Sequence, residues 1–412
     1  MAPKSCSRTP VHVAFYLWYG NLELDGKWMH WDHATLPHWT PAMNKAHPPG
    51  VPFTPPDKPH SPFYPARGLY SSRDESVLRS QLSALAQAGV DSIMLSWWGQ
   101  KQKDIQRDSQ GVSTDELVPA VLEAAAEMGI GVTWHLEPYG GRSPRSVLDD
   151  LRYLHAQYGS HPAIWRQRRS GGARMLPVVF LYDVSAEHTS GGTPAEQREK
   201  RAGWKDLVAT VRDTEHDAIL LSLYVDSRDD AFVAETGVDG AYSYFAADGF
   251  TEGSKASGWA ATARRMAASG KVFLPSVGPG YNDTLIRPWN APQTRPRRRG
   301  EYYDEKWRAA LGALDSVGDG VGGITITSFN EWGEGTQIEE ARPHVVPSSG
   351  SAYADYGPDG PDFYMNRTRT WIDAVRKRCG EDGIEDEDQD GTPASSSRVV
   401  RRDQHERMHA EL

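Results

Sequence analysis

Cysteine is nearly absent from this sequence: Cys6 and Cys379 are the only two in 412 residues. Two cysteines build no disulfide framework, and a single bridge between the two ends of the folded part stays open. Long apolar runs are missing as well. No stretch reaches the length of a membrane span, and the opening MAPKSCSRTP lacks the apolar core of a secretory signal. The chain as written is therefore expected to be soluble and cytosolic, or to belong to the secretory pathway if its N-terminus is truncated. In that second setting Asn282-Asp283-Thr284 and Asn366-Arg367-Thr368 match glycan acceptor triplets. Positive charge is in deficit too: 45 Lys and Arg stand against 55 Asp and Glu, for a formal net charge of −10. That balance argues against a nucleic-acid partner, which needs a basic face. Part of the excess sits in one acidic run, Glu381 to Asp390.

Aromatic residues are plentiful. Fourteen Trp and seventeen Tyr accompany a mean hydropathy of −0.60. Such a surface suits sugar binding, because pyranose C–H faces pack on rings while hydroxyls need polar neighbours.

Strand and helix patterns alternate along the chain. Strands are expected at Val11–Trp18, Asp91–Trp97, Ile130–Leu136, Met175–Tyr182, Ala218–Tyr224, Asp239–Tyr244, Lys271–Val277 and Ile324–Thr327. Pro177 restricts the fourth to a strand start. Helices are expected at Ser76–Ala88, Thr114–Met128, Ser143–Tyr158, Ala195–Arg212, Lys255–Ala268, Tyr303–Leu314 and Asp362–Arg378. This order predicts a single (β/α)8 TIM barrel with long βα loops, with a doubly wound sheet as the alternative. Residues 1–10 are read as an N-terminal extension, 11–379 as the barrel domain and 380–412 as a tail expected to be disordered. The loop Tyr19–Arg73 is long and aperiodic, but its aromatic content argues against disorder. His30 and His33 lie close together, yet no third ligand follows at metal-binding spacing, so no metal and no cofactor is expected.

In a barrel of this kind the residues at the C-terminal strand ends share one mouth. That mouth collects Tyr16, Trp18, Tyr19, Trp97, Trp98, Glu137, Tyr139, Asp183, Tyr244, Asp248, Tyr281 and Arg287. The last strand feeds directly into Asn330-Glu331-Trp332-Gly333-Glu334. Two carboxylates three residues apart, flanked by an indole, are either ordinary surface acids of a loop or the acid pair that glycoside hydrolysis uses.

The string TSFNEWGEGTQIE resembles the signature of glycoside hydrolase family 99, the endo-α-1,2-mannosidases and mannanases. AFYLWYGN, GLYSSRD, MLSWWG, HLEPYGGR and SVGPGYNDTLIRPWN follow in family order. Members often carry His where this chain has Gly333. The resemblance implies a barrel and a retaining endo-hydrolase of α-1,2-mannosidic linkages in mannose-containing glycans. It makes Glu334 the general acid and base. Glu331 would deprotonate the sugar 2-hydroxyl, giving a 1,2-anhydro sugar; direct attack by Glu331 stays open. Tyr16, Glu137, Tyr244, Tyr281, Arg287 and Trp332 would line the sugar site. Trp98 would stack in the donor subsite and favour a mannose-rich substrate over a glucosylated one. A monomer is expected. The alternative is a WbsX-like polysaccharide-synthesis or carbohydrate-binding domain, which shares the Asn-Glu-Trp-x-Glu-Gly core.

Overall fold

In the computed structural model of the chain, which describes residues 9–378 except 104–105, 186–192, 318–321, 347, 349 and 351, the alternation becomes a closed parallel barrel. Cys6, Cys379 and the tail 380–412 lie outside the described residues. The strands are β1 (Val11–Phe15), β2 (Ser92–Trp97), β3 (Gly131–Leu136), β4 (Met175–Leu181), β5 (Ile219–Leu223) and β6 (Gly240–Tyr242). β7 comes in two segments, Val272–Leu274 and Ser276–Val277, and β8 is Ile324–Ile326. Pro275 separates the two segments, and proline has no N–H to give to a ladder. The first segment pairs with β6 and the second with β8, which pairs with β1. The pairing thus returns to where it began, and the barrel is the expected (β/α)8 fold.

Period-two alternation decides which side chains fill the barrel and which face the helices. Val11, Val13 and Phe15 of β1 belong to the outer core, whereas Ala14 and Tyr16 join Met94, Phe180, Leu221 and Tyr242 inside. His12 points inward with them, its Nδ1 2.6 Å from Ser92 Oγ, and burial lowers its pKa to about 3. The lower lumen is therefore packed, and its upper residues form the floor of the mouth.

The helices are α1 (Glu75–Gln87), α2 (Val118–Met128), α3 (Pro144–Tyr158) and α4 (Pro194–Val211). After them come α5 (Asp229–Thr236), α6 (Trp259–Ala268), α7 (Glu301–Val317) and α8 (Phe363–Arg378). Several starts are capped by side chains. Asp74 accepts the backbone N–H groups of Ser76 and Val77, and Ser143 forms a capping box with Ser146 behind Pro144. The helix expected from Thr114 begins as a 3-10 turn and becomes α-helical only at Val118. Pro177 stands opposite Arg166 in a short antiparallel pairing, and the barrel ladder of β4 starts only at Val178, so the proline does sit at the barrel strand's start. Helix α5 was not expected from sequence, because eight residues carrying only Phe232 and Val233 as buried large apolar groups show little period.

The segment after β1 holds two short helices, Leu22–Asp25 and Pro41–Ala46, and is otherwise irregular. Buried aromatic contacts hold it over the barrel mouth. Trp31 is wholly buried, donates from Nε1 to the Tyr70 carbonyl at 2.9 Å, and stacks with Tyr19.

Candidate active site

The turn after β8 is sewn onto the end of β1. Asn330 uses its side chain as a strand would use its backbone: Oδ1 accepts from Tyr16 N at 2.8 Å and Nδ2 donates to Tyr16 O at 2.9 Å. The Tyr19 hydroxyl donates to Asn330 O at 2.9 Å and accepts from Trp332 N at 3.0 Å. Glu331 N donates to Ser328 Oγ at 2.8 Å. These bonds fix the backbone of the turn, so its two carboxylates are presented by rigid structure rather than by a free loop.

Glu331 and Glu334 open into one cavity of about 290 Å3. Tyr16, Trp98, Glu137, Tyr244 and Arg287 share its wall, joined by Trp18, Tyr19, Tyr182, His30, His33 and His60. Seven of the nine sequence-predicted site residues thus meet in one place. Tyr281 lies behind the wall, where burial and then the charges of Glu334 and Asp283 push its phenol upward. Trp332 departs from expectation. It is wholly buried, and its Nε1 donates to Glu339 Oε2 at 2.9 Å and to the Tyr70 hydroxyl at 3.2 Å. Its indole anchors the turn from beneath and does not reach the cavity.

Other strand-end residues turn away as well. Trp97 donates from Nε1 to Asp115 Oδ1 at 2.9 Å, and Asp248 pairs with Lys306 at 2.6 Å. The Tyr139 hydroxyl bonds to Asp150. None of these three lines the cavity.

The electrostatics separate this pair from surface acids. Glu331 is only 7% exposed, and its Oε2 has no hydrogen-bond partner among the described residues. Burial, and next the charge of Glu334, push Glu331 well above the carboxylate range. Arg287 and the backbone N–H groups of Gly333 and Glu334 pull against that rise. Burial lifts Glu334 to about 7, with Asp283 and Glu137 adding to the rise and Arg287 opposing it. Arg287 Nη1 lies 3.4 Å from Glu334 Oε1 and 3.0 Å from Asp283 Oδ2. Burial works against the charge of Arg287, but Glu334, Tyr281 and Asp283 outweigh it and keep the guanidinium protonated.

A polar network forms the floor. Glu137 Oε1 accepts from Ser96 Oγ at 2.8 Å and lies 2.8 Å from His135 Nδ1, while His135 Nε2 lies 2.8 Å from the Tyr242 hydroxyl. The Tyr16 and Tyr244 hydroxyls are hydrogen-bonded to each other. Trp18 stacks between Tyr16 and His30, at ring separations of 4.5 and 4.3 Å, and His30 Nε2 meets Asp108 Oδ2 at 2.7 Å.

His60, Asp283, Tyr182 and Glu339 were not singled out by sequence. Asp283 was read only as the middle of an acceptor triplet, and His60 lies in the aperiodic loop. His60 explains why glycine occupies position 333. A Cβ there would stand 2.5 Å from His60 Cε1 and 3.1 Å from Glu331 Oε1. Gly333→Ala is therefore expected to displace His60 and Glu331 together. A core-type overpacking penalty of about 1–3 kcal/mol should appear in denaturant unfolding, with activity falling alongside. Unchanged stability and activity would show that this contact is slack.

Known proteins resemble this chain over most of its length. The profile of Glycosyl hydrolase family 99 matches residues 8–377. A protein of Mus musculus described as a glycoprotein endo-alpha-1,2-mannosidase is 37% identical over 372 residues, covering 89% of this chain and 75% of that protein. A Danio rerio glycoprotein endo-alpha-1,2-mannosidase-like protein is 38% identical over 372 residues, covering 89% of this chain and 78% of its own. The solved structure of the GH99 endo-alpha-mannosidase from Bacteroides thetaiotaomicron superposes with a TM-score of 0.74 at 34% identity, covering 89% of this chain and 97% of that one.

Proposed function

Because the chain belongs to glycosyl hydrolase family 99, we propose that it is a retaining endo-hydrolase of α-1,2-mannosidic linkages in mannose-containing glycans. The observation that carries this reading is the acid pair itself. A buried and a half-buried carboxylate on one braced turn, both held above the ordinary range, share a cavity walled by Tyr, Trp and Arg. A carboxyl lifted to about 7, as Glu334 is, can give and take a proton at neutral pH, as acid–base chemistry on a glycoside requires. The polysaccharide-synthesis alternative is not favoured, because the family match spans residues 8–377 and includes both carboxylates.

In the proposed first step Glu331 takes the proton from the sugar O2. That oxygen attacks its own anomeric carbon from the face opposite the leaving group. Glu334 gives its proton to the departing glycosidic oxygen as the C1–O bond breaks. An axial 2-hydroxyl, as in mannose, lies trans to an α leaving group and is placed for this displacement. In the second step Glu334 takes a proton from water, the water attacks C1, and the proton on Glu331 returns to O2. Two inversions give net retention. The deep burial of Glu331 serves its role, since a carboxylate with a raised pKa is the stronger base once ionised. Trp98, half-buried in the wall, supplies a flat face for the donor sugar and favours a mannose-rich chain.

Digestion of defined α-1,2-linked manno- and glucomanno-oligosaccharides, with products sized by mass spectrometry, tests the reading. Internal cleavage should release oligosaccharides, with the all-mannose series preferred. Release of single mannose units alone, or no cleavage, would overturn it.

The acid role has a pH consequence. Glu334 must hold a proton to act, and that proton leaves as pH rises through about 7. The two acids interact, so the limb belongs to the pair. The profile of kcat/KM should fall on its alkaline side with a midpoint near 7. A flat profile to pH 9 would remove Glu334 as the proton donor.

A further inference from the structure

Trp39 is 84% exposed, the most exposed large apolar side chain among the described residues. Folding makes little use of it, yet its presentation is rigid. Its ring stacks on His38 at 3.7 Å and 27°, and His38 meets Trp289 edge-on at 4.9 Å. His38 is itself braced: its Nδ1 accepts from Thr40 N at 3.0 Å, its N donates to Asn44 Oδ1 at 2.6 Å, and its carbonyl accepts from Asn44 Nδ2 at 2.7 Å.

This aromatic group lies two or three residues along the chain from residues that line the active cavity. Leu36 N donates to Ile286 O at 2.9 Å, and Leu36, Ile286 and Arg287 all line the cavity. Trp289 follows Arg287 by two residues, and its neighbour Asn290 donates to Asp283 Oδ2 at 2.8 Å, the oxygen that Arg287 also holds. The segment leading out to Trp289 thus also holds Arg287, whose guanidinium lies 3.4 Å from Glu334. At about 290 Å3 the cavity lies at the small end of ligand sites. A chain cut in its interior has further sugars on both sides of the bond, and they need contacts outside so small a cavity.

We propose that Trp39, backed by His38 and Trp289, is an outer sugar platform, stacking a mannose residue of the same glycan on the leaving-group side of the scissile bond. The inference rests on reading the cleft as that of an endo-mannosidase. Stacking of a pyranose C–H face on an exposed, pre-fixed indole needs no rearrangement of the protein, and the ring's apolar area is already unpartnered.

Isothermal titration of the catalytically disabled Glu334→Gln protein tests it, with α-1,2-linked mannotetraose and methyl α-1,2-mannobioside as probes. Adding Trp39→Ala should weaken the tetraose roughly three- to tenfold more than the bioside, the range expected for one lost stacking contact. Trp39→Phe should restore most of that difference. Equal weakening of both probes, or none, would overturn the platform while leaving the hydrolase reading intact. Binding of neither probe before Trp39 is changed would overturn both readings. A change in molar mass by light scattering on Trp39→Ala would assign the ring to contact with a second copy of the chain instead, and would overturn the platform.

Discussion

Glu334→Gln should reduce turnover of natural α-mannosides by about 10²–10⁴, the usual contribution of a positioned proton donor. The substitution keeps the shape of the side chain and its place beside Arg287, 3.4 Å away, but removes the proton that the leaving oxygen needs. A substrate whose leaving group is already a weak base, such as a nitrophenyl or fluoride glycoside, needs no such proton. Its first step should be spared, so the loss should be much larger for the natural glycan than for the activated one. Stability adds a second, opposite reading. The folded pKa of Glu334, about 7, lies above the 4.5 of an ordinary glutamate, so its stabilising share is present at low pH and disappears as pH rises through about 7. A neutral glutamine escapes that penalty. The variant should therefore melt no lower than the wild type above pH 7, while being nearly inactive. Near wild-type cleavage of the natural glycan would disprove the acid assignment.

The barrel was legible because its determinants are local and repeated. Val11, Val13 and Phe15 on one side of β1 and Ala14 and Tyr16 on the other need only period two to be recognised. Asp74 and Ser143 open helices through side chains that accept backbone N–H groups, and Gly129 ends one in left-handed backbone. Helix α5 escaped because its burial depends on what packs over Phe232 and Val233, not on a pattern of its own. The site was legible where a strand delivered it: Tyr16, Trp98, Glu137 and Tyr244 each follow a strand end by a residue or two. Trp332 misled for the opposite reason. An indole between two acids reads as a cleft residue, but the turn that aims both carboxylates outward turns the ring in, onto Glu339. His60 enters from a loop more than two hundred residues away in sequence, and only the space above Gly333 reveals that the two belong together.

The sharpest division between the two retaining routes falls on Glu331. If it acts through the 2-hydroxyl, a 2-fluoro or 2-deoxy mannoside has lost the internal nucleophile and should bind without turnover. No sugar ester should form, so the intact-protein mass should stay unchanged after long incubation. If Glu331 attacks C1 itself, a 2-fluoro glycoside with a good leaving group should trap one sugar on that carboxylate. The surroundings of Glu331 favour the first outcome. Burial and the charge of Glu334 raise its pKa well above the ordinary range, so once ionised it is a strong base for an alcohol beside it. Its Oε2 lacks a partner among the described residues, which leaves a bond for a substrate hydroxyl to make. Glu331→Gln should accordingly lose activity by at least about 10³ on natural and activated substrates alike, because base help to the attacking oxygen is needed whatever leaves. That parallel loss contrasts with the substrate-dependent loss at Glu334. An adduct mapped to Glu331 would replace the anhydro-sugar route with a glycosyl-enzyme and leave the hydrolase standing.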